Sequence, residues 1–224
     1  MIKREVSINY FGIIYNRYRN MRLTPRKLAE LAIFYGACQK IAELAPLIIL
    51  LQRRKLNTIV EIGTAKGGTF WLWCQLAQPT ATIISIDLPG GEFGGGYSLE
   101  DIERLKTYGQ ESQSLHFFRA NSHHKNTVKI LRRVLQEKKI DFLFVDGDHR
   151  YVGVKKDFQF YSPLVKNRGL IAFHDILPHS QVKLCQVDKF WREIREDYQT
   201  WEFTEPQDER GWGSWGGIGV VRYT

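Results

Sequence analysis

The most constraining feature of this chain is the segment of residues 58–69 (TIVEIGTAKGGT), in which a short apolar run leads directly into a glycine-rich turn. The run contains the β-branched residues Ile59, Val60 and Ile62, which favour a buried strand. The turn contains Gly63, Gly67 and Gly68, which let the backbone bend sharply or approach a ligand. A helix follows over about residues 68–78, and its N-terminal amides are placed to meet an anionic group. The segment therefore predicts a nucleotide-binding unit of strand, turn and helix.

An acidic residue follows the second predicted strand. Residues 81–86 form an apolar run that ends in Asp87, about twenty residues beyond the glycine turn. A carboxylate at this position can accept hydrogen bonds from a ribose diol, so we expect a ligand that contains an adenosine. The glycine spacing differs from the dinucleotide pattern G-x-G-x-x-G, and the absence of G-K-[ST] excludes a Walker-type phosphate loop. A glycine-bearing turn in some other α/β protein stays an alternative.

Beyond the turn, apolar runs alternate with helical stripes. Further strands are predicted at residues 115–120, 140–145 and 170–173, and a terminal hairpin at residues 201–204 and 218–223. Apolar residues at helical spacing predict helices over Ile41 to Leu51, Val128 to Leu135, Val154 to Val165 and Val187 to Tyr198. This alternation predicts an α/β protein with a Rossmann-like, mainly parallel seven-stranded sheet covered by helices on both faces. We divide the chain into a basic, aromatic, helical N-terminal extension (residues 1–55) and a catalytic domain (residues 56–224).

Several classes of protein are excluded by composition. The longest apolar run, Ala45 to Leu51, is far shorter than the roughly 20 residues that a membrane helix needs. The N-terminus lacks the continuous apolar stretch of a secretory signal. Three cysteines, widely spaced and without C-x-x-C, are not typical of a disulfide framework or a thiolate zinc site. These features predict a cytoplasmic enzyme with no transmembrane segment.

The net charge of +8 is concentrated at the N-terminus. Within residues 1–27, seven basic residues accompany a single acid, Glu5, and four aromatic residues lie among them: Tyr10, Phe11, Tyr15 and Tyr18. Such a composition occurs in segments that bind nucleic acid or membrane surfaces, but tyrosine and arginine are also enriched at protein interfaces. We favour an arm that either packs on a second subunit, which would make the protein a homo-oligomer, or covers the cofactor, over an arm that binds nucleic acid.

Every predicted parallel strand ends in polar residues. In such sheets, ligands bind beyond the carboxyl ends of the strands. In strand order the ends supply Glu61 and Gly63, then Asp87, then Asn121 and Ser122, then Asp146-Gly147-Asp148-His149, and finally His174 and Asp175. Asp148 and Ser122 are also typical helix-capping residues. For Asp146, His149 and Asp175 we favour a chemical role.

Two segments resemble a known family. Residues 61–69 (EIGTAKGGT) resemble motif I of class I S-adenosylmethionine-dependent methyltransferases, whose loop receives the methionine carboxylate. Residues 144–176 (FVDGDHRYVGVKKDFQFYSPLVKNRGLIAFHDI) are similar to the methyltransferase group that includes cephalosporin hydroxylase-like proteins and macrolide-sugar O-methyltransferases. The similarity covers about residues 59–176. It implies a Rossmann-like methyltransferase fold and S-adenosylmethionine as the cofactor.

The resemblance also implies roles for individual residues. It makes Asp146 and Asp175 ligands of Mg²⁺, with His174 at the remaining ligand position, and it makes His149 the base. Magnesium prefers oxygen ligands whereas imidazole suits iron, zinc or nickel, so His174 leaves the identity of the divalent metal open. In the cofactor site it implies Asp87 at the ribose, Asn121 and Ser122 at the adenine, and Gly63, Thr64, Gly68 and Thr69 at the methionine end, together with Glu61 and Asp146.

The predicted function is that of a divalent-metal-assisted O-methyltransferase acting on a hydroxyl of a small molecule or sugar. The cation would orient two neighbouring oxygens and lower the hydroxyl pKa. The histidines and acids could instead bind Fe(II) in an oxygenase, or the domain could be a non-catalytic module whose arm binds nucleic acid or a membrane. The glycine-rich loop over residues 88–97 is predicted to be a lid that orders when a ligand binds, and a permanently ordered turn is the alternative.

Overall fold

The computed structural model describes residues 23–91, 93–205 and 214–224. These residues form seven strands, which we number β1 (Thr58–Ile62), β2 (Thr82–Asp87), β3 (Ser114–Arg119), β4 (Ile140–Val145), β5 (Val165–His174), β6 (Gln199–Phe203) and β7 (Ile218–Arg222). They build one sheet in the order β3-β2-β1-β4-β5-β7-β6. The pairs among β1 to β5 are parallel, whereas β7 is antiparallel to both β5 and β6. The mainly parallel seven-stranded sheet and the terminal hairpin predicted from the sequence are confirmed.

Helices precede β1, connect the parallel strands and lead from β5 to β6. Within the described residues they are α1 (Pro25–Phe34), α2 (Ile41–Gln52), α3 (Gly68–Leu76), α4 (Leu99–Lys106), α5 (Lys125–Leu135), α6 (Tyr151–Tyr161) and α7 (Val187–Ile194). Short 3₁₀ turns follow α6 (Ser162–Leu164) and α7 (Arg195–Asp197). None of the helices in this part of the chain has the length and apolarity needed to cross a membrane.

The sheet separates two hydrophobic cores because successive side chains of a strand point to opposite faces. On one face, Ile59, Phe142 and Phe144 pack with buried residues of α1, α2 and α3. On the other face, Val60 and Leu143 pack with buried residues of α5, α6 and α7. Both faces of the sheet are therefore covered, as the alternating sequence pattern predicted.

The predicted boundary at residue 55 does not separate two packing units. The described part of the predicted extension contains α1 and α2, and buried side chains of these helices belong to the same core as β1 and α3: Leu28, Leu44, Leu47 and Leu51. These two helices are therefore part of the sheet's cover. Residues 1–22, which carry most of the basic aromatic arm, lie outside the described residues, so the role of that arm stays a prediction.

Two predicted helices extend too far. α6 ends at Tyr161, because a proline-containing 3₁₀ turn follows, and Val165 instead begins β5 by pairing with Ile140. α7 ends at Ile194, so Tyr198 lies beyond it, next to the start of β6. In both cases an apolar side chain at helical spacing lies beyond the end of the helix and is buried or half-buried there.

α4 was not predicted, although the sequence carries a signal for its start. The Ser98 hydroxyl accepts a hydrogen bond from the Asp101 amide (3.1 Å), and the Asp101 carboxylate accepts one from the Ser98 amide (2.9 Å). This reciprocal pair is a capping box, which satisfies two amides that the helix itself leaves unpaired. Only Leu105 of α4 is buried, so the helix adds little to the core.

The loops after β1 and β4 meet where the strand order reverses. The Asp146 amide donates to the Ile62 carbonyl (2.8 Å), and the Gly63 amide donates to the Ile86 carbonyl (2.9 Å). Gly63 has φ 85°, and a Cβ at this position would lie 2.0 Å from the Asp146 carbonyl oxygen, so only glycine allows this approach. In open α/β sheets the crevice at this reversal is where ligands bind.

Candidate active site

A cavity of about 630 Å³ opens beyond the carboxyl ends of the parallel strands. This volume lies within the range of roughly 300–1,000 Å³ that small-molecule sites occupy. Most of the predicted site residues line it: Gly63, Thr64, Thr69, Asp87, Asn121, Ser122, Asp146, His149, His174 and Asp175. The structure therefore brings the predicted cofactor and metal residues together around one space.

Asp87 holds the glycine-rich turn from the neighbouring strand. Its Oδ2 accepts hydrogen bonds from the backbone amides of Thr64 and Ala65, each 2.7 Å long. Asp87 ends β2 beside β1, so the carboxylate lies directly against the turn. Its other oxygen, Oδ1, takes no part in these two bonds, and the side chain lines the cavity.

Glu61 supports the turn from behind instead of lining the cavity. The side chain is fully buried and accepts hydrogen bonds of 2.6 Å from the Trp73 indole and from the Thr64 hydroxyl. Burial raises the pKa of Glu61 to about 7, although these hydrogen bonds oppose the rise. The expectation that Glu61 contacts the cofactor is therefore corrected, because its carboxylate points into the α3 side of the sheet.

Gly68 also has a different place from the one predicted. A Cβ at this position would lie 2.0 Å from the Ala37 amide nitrogen and 2.3 Å from the Ala32 carbonyl oxygen. Gly68 is thus required where the start of α3 packs against the end of α1, and it does not line the cavity. The two segments are packed so closely that a larger residue would push the turn out of place.

An acid–histidine cluster lies at the ends of β4 and β5. Consecutive residues of an extended strand point to opposite faces. Asp175, however, has φ 65°, a left-handed conformation that turns the backbone at the end of β5. As a result His174 Nδ1 lies 3.2 Å from Asp146 Oδ1 and 3.6 Å from Asp175 Oδ1. Adjacent residues therefore converge on one point together with the acid that follows β4.

In both Asp146 and Asp175, the carboxylate oxygen Oδ2 has a partner other than His174. Asp146 Oδ2 accepts a hydrogen bond of 2.7 Å from the Gln39 side-chain amide. Asp175 Oδ2 lies 2.6 Å from His149 Nδ1. These contacts leave Oδ1 of Asp146 and Oδ1 of Asp175 facing His174.

The other ring nitrogen of His174 faces a buried acid from α2. Its Nε2 lies 3.4 Å from Glu43 Oε2, and both side chains are buried. Glu43 is fixed in turn, because its oxygens accept hydrogen bonds from the backbone amides of Gly217 (2.7 Å) and Lys40 (3.0 Å). Histidines that bind metals almost always donate their other ring N–H to such a carboxylate or carbonyl group.

The charges in the cluster reinforce one another. Burial alone would lower the pKa of His174, but the carboxylates around it, above all Asp175 and Asp146, raise that pKa well above its ordinary value. Burial likewise opposes the charged form of Asp175, yet His174 and the hydrogen bond from His149 hold its pKa below the usual range. His174 and the acids around it therefore stabilise one another's charged forms, and a metal bound there would displace a proton from His174.

His149 presents one ring nitrogen to the cavity. With Nδ1 on Asp175, its Nε2 is the remaining nitrogen, 3.8 Å from Asp146 Oδ1. Burial lowers the pKa of His149, but Asp175 and Asp146 outweigh it, so the pKa is raised. The Phe93 ring from the glycine-rich loop lies 4.8 Å from the His149 ring, centroid to centroid. The predicted lid segment thus lines the cavity next to the predicted base.

A family model described as a methyltransferase domain matches residues 60–176, which is more than half of the chain. The chain belongs to this methyltransferase family. The matched segment starts in β1 and ends just after Asp175, so it contains every predicted site residue from Glu61 to Asp175. The resemblance to class I methyltransferases inferred from the sequence is confirmed.

Two curated relatives of this methyltransferase are uncharacterized proteins. One, from Sinorhizobium fredii, is 31% identical over 130 residues, which are 56% of this chain and 14% of the relative. The other, from Acanthamoeba polyphaga mimivirus, is 32% identical over 129 residues, which are 53% of this chain and 51% of the relative. The matches therefore span about half or less of the length of these relatives.

Solved structures share the fold of this methyltransferase. The O-methyltransferase TomG from Streptomyces achromogenes, solved in complex with SAM, has a TM-score of 0.56 at 15% identity and covers 100% of both chains. The O-methyltransferase from Bacillus cereus, solved with SAH, has a TM-score of 0.56 at 14% identity and covers 94% of this chain and 97% of its own. At such identities these likenesses establish the Rossmann-like methyltransferase fold.

The predicted adenine end of the methyltransferase cavity is fixed by α6. The Tyr161 hydroxyl donates to the Ser122 carbonyl (2.9 Å), and Asn121 Oδ1 accepts from the His123 amide (2.8 Å). His123 Nε2 lies 3.3 Å from Oδ1 of the fully buried Asp157. α6 therefore holds the loop after β3 in the position where it lines the cavity.

Several residues of the site were missed from the sequence. They are Gln39, Glu43, Phe93, His123 and Asp157. Two of them carry a signal that could have found them, because Glu43 and Asp157 are fully buried acids in helices that pack against the sheet. Buried carboxylates require partners, so an acid on the apolar face of a helix predicts a polar site beneath it.

Proposed function

We propose that this methyltransferase uses S-adenosylmethionine to methylate a hydroxyl of a small molecule or sugar, with the assistance of a divalent cation. The proposal rests on one observation, which is that a single cavity lies between two groups of residues. Asp87 and the glycine-rich turn lie on one side, and the cluster of Asp146, His149, His174 and Asp175 lies on the other.

The cofactor residues support a bound adenosine and an amino-acid end. Asp87 would accept a ribose hydroxyl through Oδ1, while Asn121 and Ser122 would border the adenine. Gly63, Thr64 and Thr69 would lie at the methionine end. Gln39 lines the same cavity, and its buried Oε1 has no hydrogen-bond partner within the described residues. A ligand ammonium or hydroxyl would satisfy this oxygen, which favours a polar ligand here.

The donor atoms of Asp146, His174 and Asp175 fit a divalent cation. They lie within 4.8 Å of one another. Gln39 and His149 contact the other oxygen of Asp146 and Asp175, and Glu43 lies 3.4 Å from His174 Nε2. A set of two carboxylates and one imidazole suits Mn²⁺, Fe²⁺, Co²⁺ or Zn²⁺ better than Mg²⁺. The cation would supply a positive charge that lowers the pKa of the acceptor hydroxyl.

His149 would remove the proton from that hydroxyl. Its Nδ1–H donates to Asp175, which fixes the ring and leaves Nε2 with a lone pair toward the cavity. The methyl group of the cofactor's sulfonium is already electrophilic. The protein's contribution is therefore to place the acceptor oxygen in line with that group and to take its proton.

The oxygenase alternative is less well supported. Non-haem Fe(II) oxygenases bind their metal with two histidines and one carboxylate. Within the described residues, the two sets of converging donors each contain a single histidine: Asp146, His174 and Asp175, and His149, Asp175 and Cys185. His149 contacts Asp175 from the outer side, which favours a base over a second iron ligand.

A thermal-shift experiment tests the proposal. We expect S-adenosylhomocysteine to raise the melting temperature while NAD does not, because a ligand at 100 times its Kd adds about 2.7 kcal/mol to the free energy of unfolding. Mn²⁺ should stabilise the wild type but not the matched Asp146→Asn variant. Stabilisation by NAD alone would contradict the cofactor assignment, and stabilisation by Mn²⁺ that survives Asp146→Asn would contradict the metal ligands.

A further inference from the structure

Cys185 is a buried thiol beside the proposed base that the mechanism above does not use. It lies just before α7, with 7% of its surface exposed. Two backbone hydrogen bonds hold it in place, from Cys185 to Val182 (2.9 Å) and from Gln186 to the His149 carbonyl (2.8 Å). Its Sγ lies 4.0 Å from His149 Nδ1. The second bond ties the two backbones together, so the thiol and the imidazole are held side by side.

The thiol completes a second set of converging donors. One ligand atom each from His149, Asp175 and Cys185 lies within 4.8 Å of the other two. We propose that this triad is a binding site for a thiophilic divalent cation of the Zn²⁺ type. Imidazole, carboxylate and thiolate are the three ligand types that zinc accepts, and three protein ligands leave the fourth tetrahedral position open.

This centre is chemically distinct from the one at Asp146, His174 and Asp175. The two share Asp175, but His149 lies at Oδ2 of that carboxylate while His174 lies nearest Oδ1. Only the triad contains sulfur, which selects soft and borderline cations, whereas Mg²⁺ and Ca²⁺ prefer oxygen. A hard cation is therefore not expected to occupy the triad.

A reactive role for the thiol is not supported by its surroundings. Burial raises the pKa of Cys185 to about 12, so the metal-free side chain is a protonated thiol and a poor nucleophile. The other two cysteines are free as well, Cys38 exposed and Cys74 buried. A cation that binds the triad would displace the proton of Cys185 to solvent, as zinc does when it binds thiols.

Occupancy would inactivate the enzyme. A cation on His149 Nδ1 replaces the hydrogen bond to Asp175, so the proton of the neutral ring must reside on Nε2. That nitrogen could then no longer accept the proton of the acceptor hydroxyl. This consequence rests on the proposed function, because it requires His149 to be the base. The binding of the cation does not depend on that function.

Cobalt is the probe, because Co²⁺ takes zinc sites and a thiolate ligand gives it a near-ultraviolet charge-transfer band. We expect the band to appear when the metal-free wild type is titrated with Co²⁺, and Zn²⁺ to abolish it by competition. Cys185→Ser and Cys185→Ala should lose the band. Cys38→Ser is the matched control and should retain it, although Cys38 also lines the cavity.

Two further variants separate this centre from the proposed catalytic metal. Asp146→Asn should retain the band, because Asp146 is a ligand of the other set only, while His149→Ala should lose it. Absence of the band in the wild type, or its persistence in folded Cys185→Ala, overturns the proposal. Circular dichroism establishes folding of each variant, and His149→Ala keeps the test decisive if both Cys185 variants fail to fold. A normal band together with no S-adenosylhomocysteine binding would refute the proposed function alone.

Discussion

Replacing Asp87 by asparagine isolates the contact proposed for the cofactor ribose. In the wild type, one oxygen of Asp87 accepts the amides of Thr64 and Ala65. An asparagine can place its single oxygen there, so the turn keeps both hydrogen bonds. Its NH₂ group then replaces Oδ1, which removes the negative charge and the acceptor that a ribose hydroxyl would use. The variant therefore changes the ligand contact but not the support of the turn.

The structure indicates how much binding free energy the Asp87→Asn variant should lose. One carboxylate oxygen remains for the ribose, and a hydrogen bond to a charged group contributes about 1.5–3 kcal/mol. We therefore expect Asp87→Asn to weaken S-adenosylhomocysteine binding by about 10- to 150-fold. Asp87→Ala should weaken it further and also lower the free energy of unfolding, because two turn amides lose their acceptor.

The ribose contact is tested by calorimetry with S-adenosylhomocysteine and a second ligand. The second ligand is an S-adenosylhomocysteine analogue that lacks both ribose hydroxyls. The wild type should bind this analogue less tightly, whereas Asp87→Asn should lose little more, because the interaction is already absent in the variant. Equal losses in both proteins, or unchanged binding of S-adenosylhomocysteine to folded Asp87→Asn, would refute the ribose contact.

The remaining predictions concern the base and two buried acids. His149→Ala should reduce turnover by about 10²- to 10⁴-fold in steady-state assays. Its affinity for Mn²⁺, measured by calorimetry, should fall by no more than about 10- to 100-fold, because His149 is not a ligand of the set formed by Asp146, His174 and Asp175 and only contacts Asp175. Glu43→Gln weakens the support of His174 and should lower metal affinity by about 10- to 100-fold, with cofactor affinity unchanged. The pKa of Glu61 is raised from 4.5 to about 7, so the stability that this group contributes is complete below pH 4.5 and is lost as the pH rises toward 7. Denaturant titrations should therefore show a loss of about 3 kcal/mol between pH 4.5 and 8 that is absent in Glu61→Gln; an equal loss in that variant would exclude Glu61 as its source.

The fold and half of the site could be read from the sequence because both depend on local patterns. Buried parallel strands are continuous apolar runs, and the carboxyl ends of such strands meet at one edge of the sheet. The acids and histidines that follow these runs were therefore expected to converge, and Asp146, His149, His174 and Asp175 do so. The turn at Asp175 that makes this possible, with φ 65°, has no obvious sequence signal, because aspartate adopts such a conformation only occasionally.

The supporting residues could not be found because they come from distant parts of the chain. Gln39 lies 107 residues before Asp146, and Glu43 lies on an apolar helix whose place over the sheet is a matter of tertiary packing. Glu61 was misplaced for a different reason. It follows Val60 in β1, and alternation along the strand directs the two side chains to opposite faces, so Glu61 meets Trp73 in the core beside α3.

A crystal structure of the protein with S-adenosylhomocysteine tests the central claim most directly. The account predicts density for the whole ligand in the cavity of about 630 Å³. The ribose should contact Asp87, the adenine should lie against Asn121 and Ser122, and the sulfur should face His149. An empty cavity at saturating ligand, or a ligand bound with its adenine toward His149, would contradict the proposed methyl transfer.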